Sequence, residues 1–299
     1  MYNKVMSAIN VIGASCIDLL VSDVDREKFF SGTFKAPSIK TSFGGDAFNE
    51  AIVLKKLGRD VSLKTIAGND VYGHMIREHL FNNGVDFDQD ILKDGIDTYL
   101  SIILMEKDGQ HTFVGSENGS LRLLDLDHIR IDEDCRIASF ASLFISKVMD
   151  EKKYEILFRN IKEKGIILCA DSSSPKNDRQ IENTDYMKYI DYFFCNENEA
   201  MKLCRSDDIF ECESLLYQKG IRNVIIKLGD QGCLYQGEIM KPERKVVCVD
   251  STGAGDSFAA GFISSLDQGN EISECIRFAN ECGARACEYI GATAWLEHL

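Results

Sequence analysis

Residues 246–262 read VVCVDSTGAGDSFAAGF: an apolar run of strand length, a turn with glycines at 253 and 255, and a helical apolar pattern, with Asp256 at the junction. Gly253 and Gly255 permit a close backbone approach that a Cβ would block. The following helix, with Phe258, Phe262, Ile263 and Leu266 on its apolar face, turns its free N-terminal amides back at the turn. Free amides and the helix dipole make an anion site. A carboxylate is a poor neighbour for an anion, so Asp256 is either a plain helix cap or a group with a chemical task.

The familiar phosphate loops do not fit. A Walker loop requires G-x-x-x-x-G-K-[ST], which the chain lacks, and a dinucleotide fingerprint requires a third glycine where this turn has Phe258. Around the junction, apolar runs of strand length alternate with helical patterns. The strand candidates are 5–13, 61–67, 141–146, 165–171, 192–196, 223–229 and 245–250, and Ala47, Phe48, Ala51, Ile52 and Leu54 mark a helix. The alternation predicts a three-layer α/β/α domain with a mostly parallel central sheet. Two segments break the rhythm: 14–40 has no long helical stripe, and 97–115 reads as two strands around Lys107-Asp108-Gly109. They predict a small β lid inserted in a domain formed by 1–13, 41–96 and 116–299.

The chain has 299 residues with a formal charge of −14, which argues against a nucleic-acid partner. Its 11 cysteines are scattered without a C-x-x-C pair, and no stretch approaches a membrane span, so the expectation is a cytoplasmic protein with reduced thiols.

With these residues in view, the chain resembles the ribokinase-like sugar kinases, the PfkB family, over essentially its whole length. Asp250-Ser-Thr-Gly-Ala-Gly-Asp256 resembles the C-terminal signature, F-G-G-D-A-F-N-E-A (43–51) the sugar-binding motif, N-E-N-E (196–199) the N-x-x-E motif, and 277–292 the C-terminal helix pattern. The resemblance implies an ATP- and Mg²⁺-dependent kinase that transfers the γ-phosphate to a hydroxyl, expected to be a primary one, of a small ribose- or fructose-like carbohydrate. Asp256 would be the base, and the amides of Gly253, Ala254 and Gly255 would receive the phosphate. Asp18, Gly44, Gly45 and Asn49 would hold the sugar. Asn196, Lys227, Gly229, Gly232 and Asn280 would serve the nucleotide, with Lys227 standing where the family often has threonine. Glu199 would organise Mg²⁺ through water. Asp250, with Thr252, Ala286 and Gly291, falls on a pattern for a monovalent cation, K⁺. An apolar outer face on the lid would pair two copies into a homodimer.

Other readings stay open at this point. A nucleoside kinase would use Phe43, Phe48, Tyr99 and Phe113 around a base. A 2-keto-3-deoxygluconate-type kinase would need a cation for a sugar acid, and Lys147 is the candidate; the stretch 171–178, where an arginine is expected, has none before position 179. Outside the class stand a dinucleotide-binding oxidoreductase, which lacks its fingerprint, and a non-catalytic sugar sensor, which would not need Asp256.

Overall fold

The computed structural model describes residues 8–30, 32–106, 111–173 and 184–299. In chain order the strands and helices are β1 (Ile9–Ile12), β2 (Cys16–Val24), α1 (Arg26–Phe29), β3 (Ile39–Gly44), α2 (Asp46–Lys56), β4 (Val61–Lys64), β5 (Ala67–Gly68) and α3 (Val71–Asn82). There follow β6 (Asp86–Phe87), β7 (Leu92–Lys93), β8 (Leu100–Glu106), β9 (His111–Gly115), β10 (Ile137–Leu143), α4 (Glu151–Glu163), β11 (Ile167–Ser172) and β12 (Tyr192–Asn196). The last part holds α5 (Glu197–Cys204), α6 (Ile209–Gln218), β13 (Asn223–Lys227), β14 (Cys233–Tyr235), β15 (Glu238–Met240), α7 (Ala254–Asp267) and α8 (Ile272–Ala286).

One nine-stranded sheet runs in the order β15-β14-β13-β12-β11-β10-β1-β4-β6. The seven strands from β13 to β6 are parallel, and β14 and β15 close one edge as an antiparallel hairpin. Strands covered on both faces need apolar side chains on both, which is why β1 and β10 are buried at every position. Helices α2, α3, α7 and α8 cover one face through Phe48, Ile52, Leu80, Phe262 and Ile276. Helices α4, α5 and α6 cover the other through Tyr154, Phe158, Leu203 and Leu216. In α4, Tyr154, Leu157, Phe158 and Ile161 repeat at helical spacing, and the Asp150 carboxylate caps the helix by accepting from the Lys153 amide.

A separate four-stranded sheet, in the order β3-β2-β8-β9, lies outside the main one. Strand β3 continues to Gly44, so residues 41–44 belong to this sheet rather than to the main body, as the boundary at 41 had it. The turn at 107–109 lies outside the described residues, as do 5–7 of the first expected strand and 174–178 of the segment expected to carry an arginine.

The expected strand 245–250 does not form. That segment is irregular, with Val247 and Val249 exposed, and the Val249 amide bonds the Cys287 carbonyl at the end of α8 instead of a neighbouring strand. Among the described residues no helix is long and apolar enough to cross a membrane.

Candidate active site

Ligand sites in open parallel sheets gather at the carboxyl ends of the strands. Asp171 at the end of β11, Asn196 at the end of β12 and Lys227 at the end of β13 all lie there, and Asn196 and Lys227 are direct register partners. The N-termini of α2, α5 and α7 converge on the same cluster, each with a carboxylate in the first turn: Asp46, Glu199 and Asp256 respectively. Gly253 caps α7 in the left-handed region at φ 74°, and a Cβ on it would come 2.5 Å from the Ala292 Cβ. The turn therefore accepts glycine alone without moving the C-terminal segment.

Asp256 is not a simple cap, since no side-chain cap bond is made at the start of α7. Its Oδ2 accepts from the Asn49 amide at 2.7 Å, which ties α7 to the start of α2. Burial, then the nearby Asp46 charge, pushes the Asp256 carboxyl up to about 7, against the pull of the Asn49 bond and Lys227. Asp46 is itself raised by burial, and it accepts from the Ser173 hydroxyl.

Lys227 lies beneath the anion turn. Its Nζ is 3.2 Å from where a Gly255 Cβ would stand and donates to Asp171 Oδ2 at 2.6 Å. Burial alone would lower the ammonium, but the charges of Asp171 and Glu199 outweigh it and hold Lys227 above its ordinary value. A charged lysine thus stands behind amides already suited to a phosphate. Burial raises Asp171 and Glu50 alike. With an ammonium 2.6 Å from Asp171, it is Glu50, whose buried Oε1 has no hydrogen-bond partner, that carries the proton near neutrality.

On the lid side, Asp18 of β2 faces this cluster. Its Oδ1 accepts from the Cys16 thiol at 3.7 Å, and burial raises it to about 6. A Cβ on Gly44 would run into the Asp18 carboxylate, and Gly45, at φ 99°, turns the chain from β3 into α2. Asp18, Gly44, Gly45 and Asn49 are therefore contiguous. The aromatic set proposed for a base is not: Phe43 and Phe48 stack on each other at 5.7 Å, Phe48 is in the core, Phe113 is 65% exposed on the lid, and Tyr99 is packed against Gly115 and Gly119. Lys147 is also committed, donating to the Glu117 carbonyl at 2.8 Å and its carboxylate at 3.2 Å.

The remaining candidates fall at the α7–α8 end. Asn196 and Glu199 form a reciprocal cap, each backbone amide donating to the other side chain at 2.9 Å. Gly229 and Gly232 frame the turn between β13 and β14. Asn280 donates to the Met240 carbonyl at 3.1 Å, fastening α8 to the hairpin. Asp250 accepts from the Thr252 amide and hydroxyl with one oxygen and from the Gly291 amide with the other, while Ala286 closes α8.

A part-buried aspartate at a glycine turn, a lysine beneath it and a second aspartate on a small separate sheet are laid out along the entire chain, and the family model for pfkB family carbohydrate kinases matches residues 6–299. The chain is a pfkB family carbohydrate kinase. It is a phosphotransferase with an alcohol acceptor, and ATP is the family's phosphate donor. Fructokinase-1 of Zea mays is 28% identical over 270 residues, covering 84% of each chain. Ribokinase of Arabidopsis thaliana is 25% identical over 298 residues, covering 94% of this chain and 76% of the relative. Among solved structures, the Arabidopsis ribokinase complexed with ribose and ATP superposes with a TM-score of 0.77 at 21% identity, covering 97% and 95% of the two chains. Ribokinase from Giardia lamblia gives 0.80 at 18% identity, covering 97% and 96%.

Three residues of the candidate site were not singled out by the sequence: Asp171, Asp46 as a partner of Ser173, and Glu50. Asp171 had a visible signal, a charge closing the apolar run GIILCA at the carboxyl end of a buried strand. Glu50 had a weaker one, a carboxylate flanked by the apolar-face residues Phe48, Ala51 and Ile52.

Proposed function

We propose that the protein phosphorylates a neutral, fructose- or ribose-like sugar with ATP and Mg²⁺, using Asp256 as the base on a primary hydroxyl. The observation that carries this is the part-buried Asp256 carboxyl, raised to about 7 and bonded by Asn49, directly beside the Gly253–Gly255 turn. A base with a pKa near the working pH takes a hydroxyl proton with least loss of driving force. In this reading Asp18 and Asn49 hold the sugar hydroxyls, and the Gly253, Ala254 and Gly255 amides with Lys227 hold the transferring phosphate. The exposed Val247, Val249 and Ile290 offer apolar surface for the nucleotide base at the carboxyl end of α8. Relatives named fructokinase and ribokinase support a neutral sugar, as does Lys147, whose charge Glu117 already engages.

Mg²⁺ fits the carboxyl-end cluster: Glu199 is buried at the start of α5, within electrostatic reach of Asp171 and Lys227, and accepts from Asn196 with one oxygen. Bound there with ATP, the ion would offset phosphate charge among so many carboxylates. A monovalent cation at Asp250, Thr252, Ala286 and Gly291 belongs to the same reading, and higher activity in K⁺ than in Na⁺ is its test.

The lid also supports a homodimer. Register places Leu19, Val21, Ile39, Ile102, Leu104 and Val114 on the sheet face opposite Asp18, an apolar outer surface with Ile39 and Val114 exposed. The deciding experiment for the substrate is an ADP-release screen over ketohexoses, aldohexoses, pentoses, sugar acids, sugar phosphates and nucleosides. Turnover of a ketohexose or pentose is expected. Turnover confined to nucleosides or sugar acids would overturn the neutral-sugar reading.

A further inference from the structure

Between β15 and α7 the chain forms a strap, residues 241–253, laid along α8. Glu243 pairs with Arg277 at 3.5 Å, and Arg244 reaches Glu281 at 3.4 Å and Glu288 at 2.5 Å. The Val249 and Asp250 amides both donate to the Cys287 carbonyl, at 2.7 and 3.3 Å. Two adjacent amides on one carbonyl bring Cys248 against the C-terminal end of α8, where its thiol is a close enough neighbour to help burial push the Cys287 thiol up.

Among the eleven cysteines this pair stands apart. Cys248 is exposed and Cys287 is part-buried, while the other nine are buried. Cys204 and Cys212 are also neighbours, the Cys204 thiol donating to the Cys212 carbonyl at 3.6 Å, but both are in the core, where no solute oxidant arrives. Only the 248–287 pair combines contact with access. Ahead of Cys248 the strap is tied to α8 by the solvent-facing ion pairs of Glu243 and Arg244, which are weak, so that part can shift to let the two neighbouring sulfurs close to the disulfide length of about 2.05 Å.

We propose that Cys248 and Cys287 are an oxidation site, joined reversibly into a disulfide by a hydroperoxide, and that the disulfide weakens nucleotide binding. The Cys248 sulfur attacks the O–O bond of the hydroperoxide, giving a sulfenic acid and the alcohol, or water from hydrogen peroxide. The Cys287 sulfur then attacks Cys248; the S–S bond forms as hydroxide leaves and takes up the Cys287 proton as water. The two thiols lose two electrons and the hydroperoxide gains them. A dithiol reverses the bond by exchange.

The effect falls on the nucleotide side, a consequence that rests on the function proposed above. Cys248 lies between Val247 and Val249, and two residues before Asp250, whose carboxylate holds Thr252 and Gly291 beside the Gly253 turn. A displacement of about 1 Å in a positioned group can cost about 10²-fold, so at least a tenfold rise in KM for ATP is expected. The KM for sugar should stay within twofold, because Asp18 and Asn49 belong to the lid sheet and α2.

The test treats the full chain, Cys248→Ser and Cys287→Ser with hydrogen peroxide, maps disulfides by peptide mass, and measures ATP affinity by calorimetry and by ADP release before and after dithiothreitol. A 248–287 linkage in the wild type only, with ATP affinity at least tenfold weaker and restored by dithiothreitol, is expected. Absence of that linkage when Cys248 itself is oxidised, or a linkage that leaves ATP affinity within twofold, overturns the proposal. The peptide map and calorimetry read the disulfide even if the sugar assignment fails.

Discussion

Glu50 offers a quantitative test of the site's electrostatics. Its carboxyl is 1% exposed, accepts a hydrogen bond from Ser139, and leaves Oε1 without a partner. Burial is the main cause of a pKa raised from 4.5 to about 8. Because the folded state keeps this proton to higher pH than the unfolded chain, its contribution is intact below pH 4.5 and is lost as pH rises toward 8. At 1.36 kcal/mol per pKa unit, the loss is about 3 kcal/mol at pH 7 and about 5 kcal/mol above pH 8. Glu50→Gln keeps the shape and an acceptor for Ser139 but has no charge to desolvate. Thermal unfolding of both proteins at pH 5, 7 and 8.5 should give midpoints that nearly meet at pH 5 and separate with pH, the glutamine variant leading by roughly 5–10 °C at pH 8.5. Parallel profiles, or a glutamine variant less stable at pH 8.5, would refute the reasoning.

Lys227→Met should reduce kcat/KM for ATP by about 10²–10³-fold with little change in sugar KM, measured by ADP release. It also leaves Asp171 buried without its cation, at a cost of about 3–5 kcal/mol, so Lys227→Met/Asp171→Leu should recover thermal stability without recovering activity. Gly253→Ala, which forces a Cβ to within 2.5 Å of the Ala292 Cβ at φ 74°, should lower kcat by about 10²-fold while the circular dichroism spectrum stays folded. Since Asp256 must be ionised to act and its carboxyl is raised to about 7, kcat/KM should climb with pH through about 7 and level above it.

The parallel sheet was readable because its strands are buried on both faces and therefore spell uninterrupted apolar runs: 192–196 was read to the residue and 223–229 two residues long. The same rule misread 245–250, whose valines alternate as a strand would but stand exposed on a strap. The candidate base and sugar residues were implied by the resemblance of F-G-G-D-A-F-N-E-A and D-S-T-G-A-G-D to the family's motifs, which are short and so legible before the fold is known. What stayed hidden was pairing across the fold: Asp171 with Lys227, 56 positions apart, and Asn49 with Asp256, 207 apart. Such partners meet only after the sheet order is fixed, and no local pattern encodes that order.

Phosphoryl transfer by Asp256→Asn tests the central claim most directly. Asparagine keeps the shape and a hydrogen-bonding oxygen beside Asn49 but cannot take up a proton. With the sugar that the wild type turns over, and with an unchanged unfolding midpoint as the check on folding, ADP release under saturating ATP and Mg²⁺ should fall by about 10²–10⁴-fold. Activity within tenfold of the wild type would contradict Asp256 as the base.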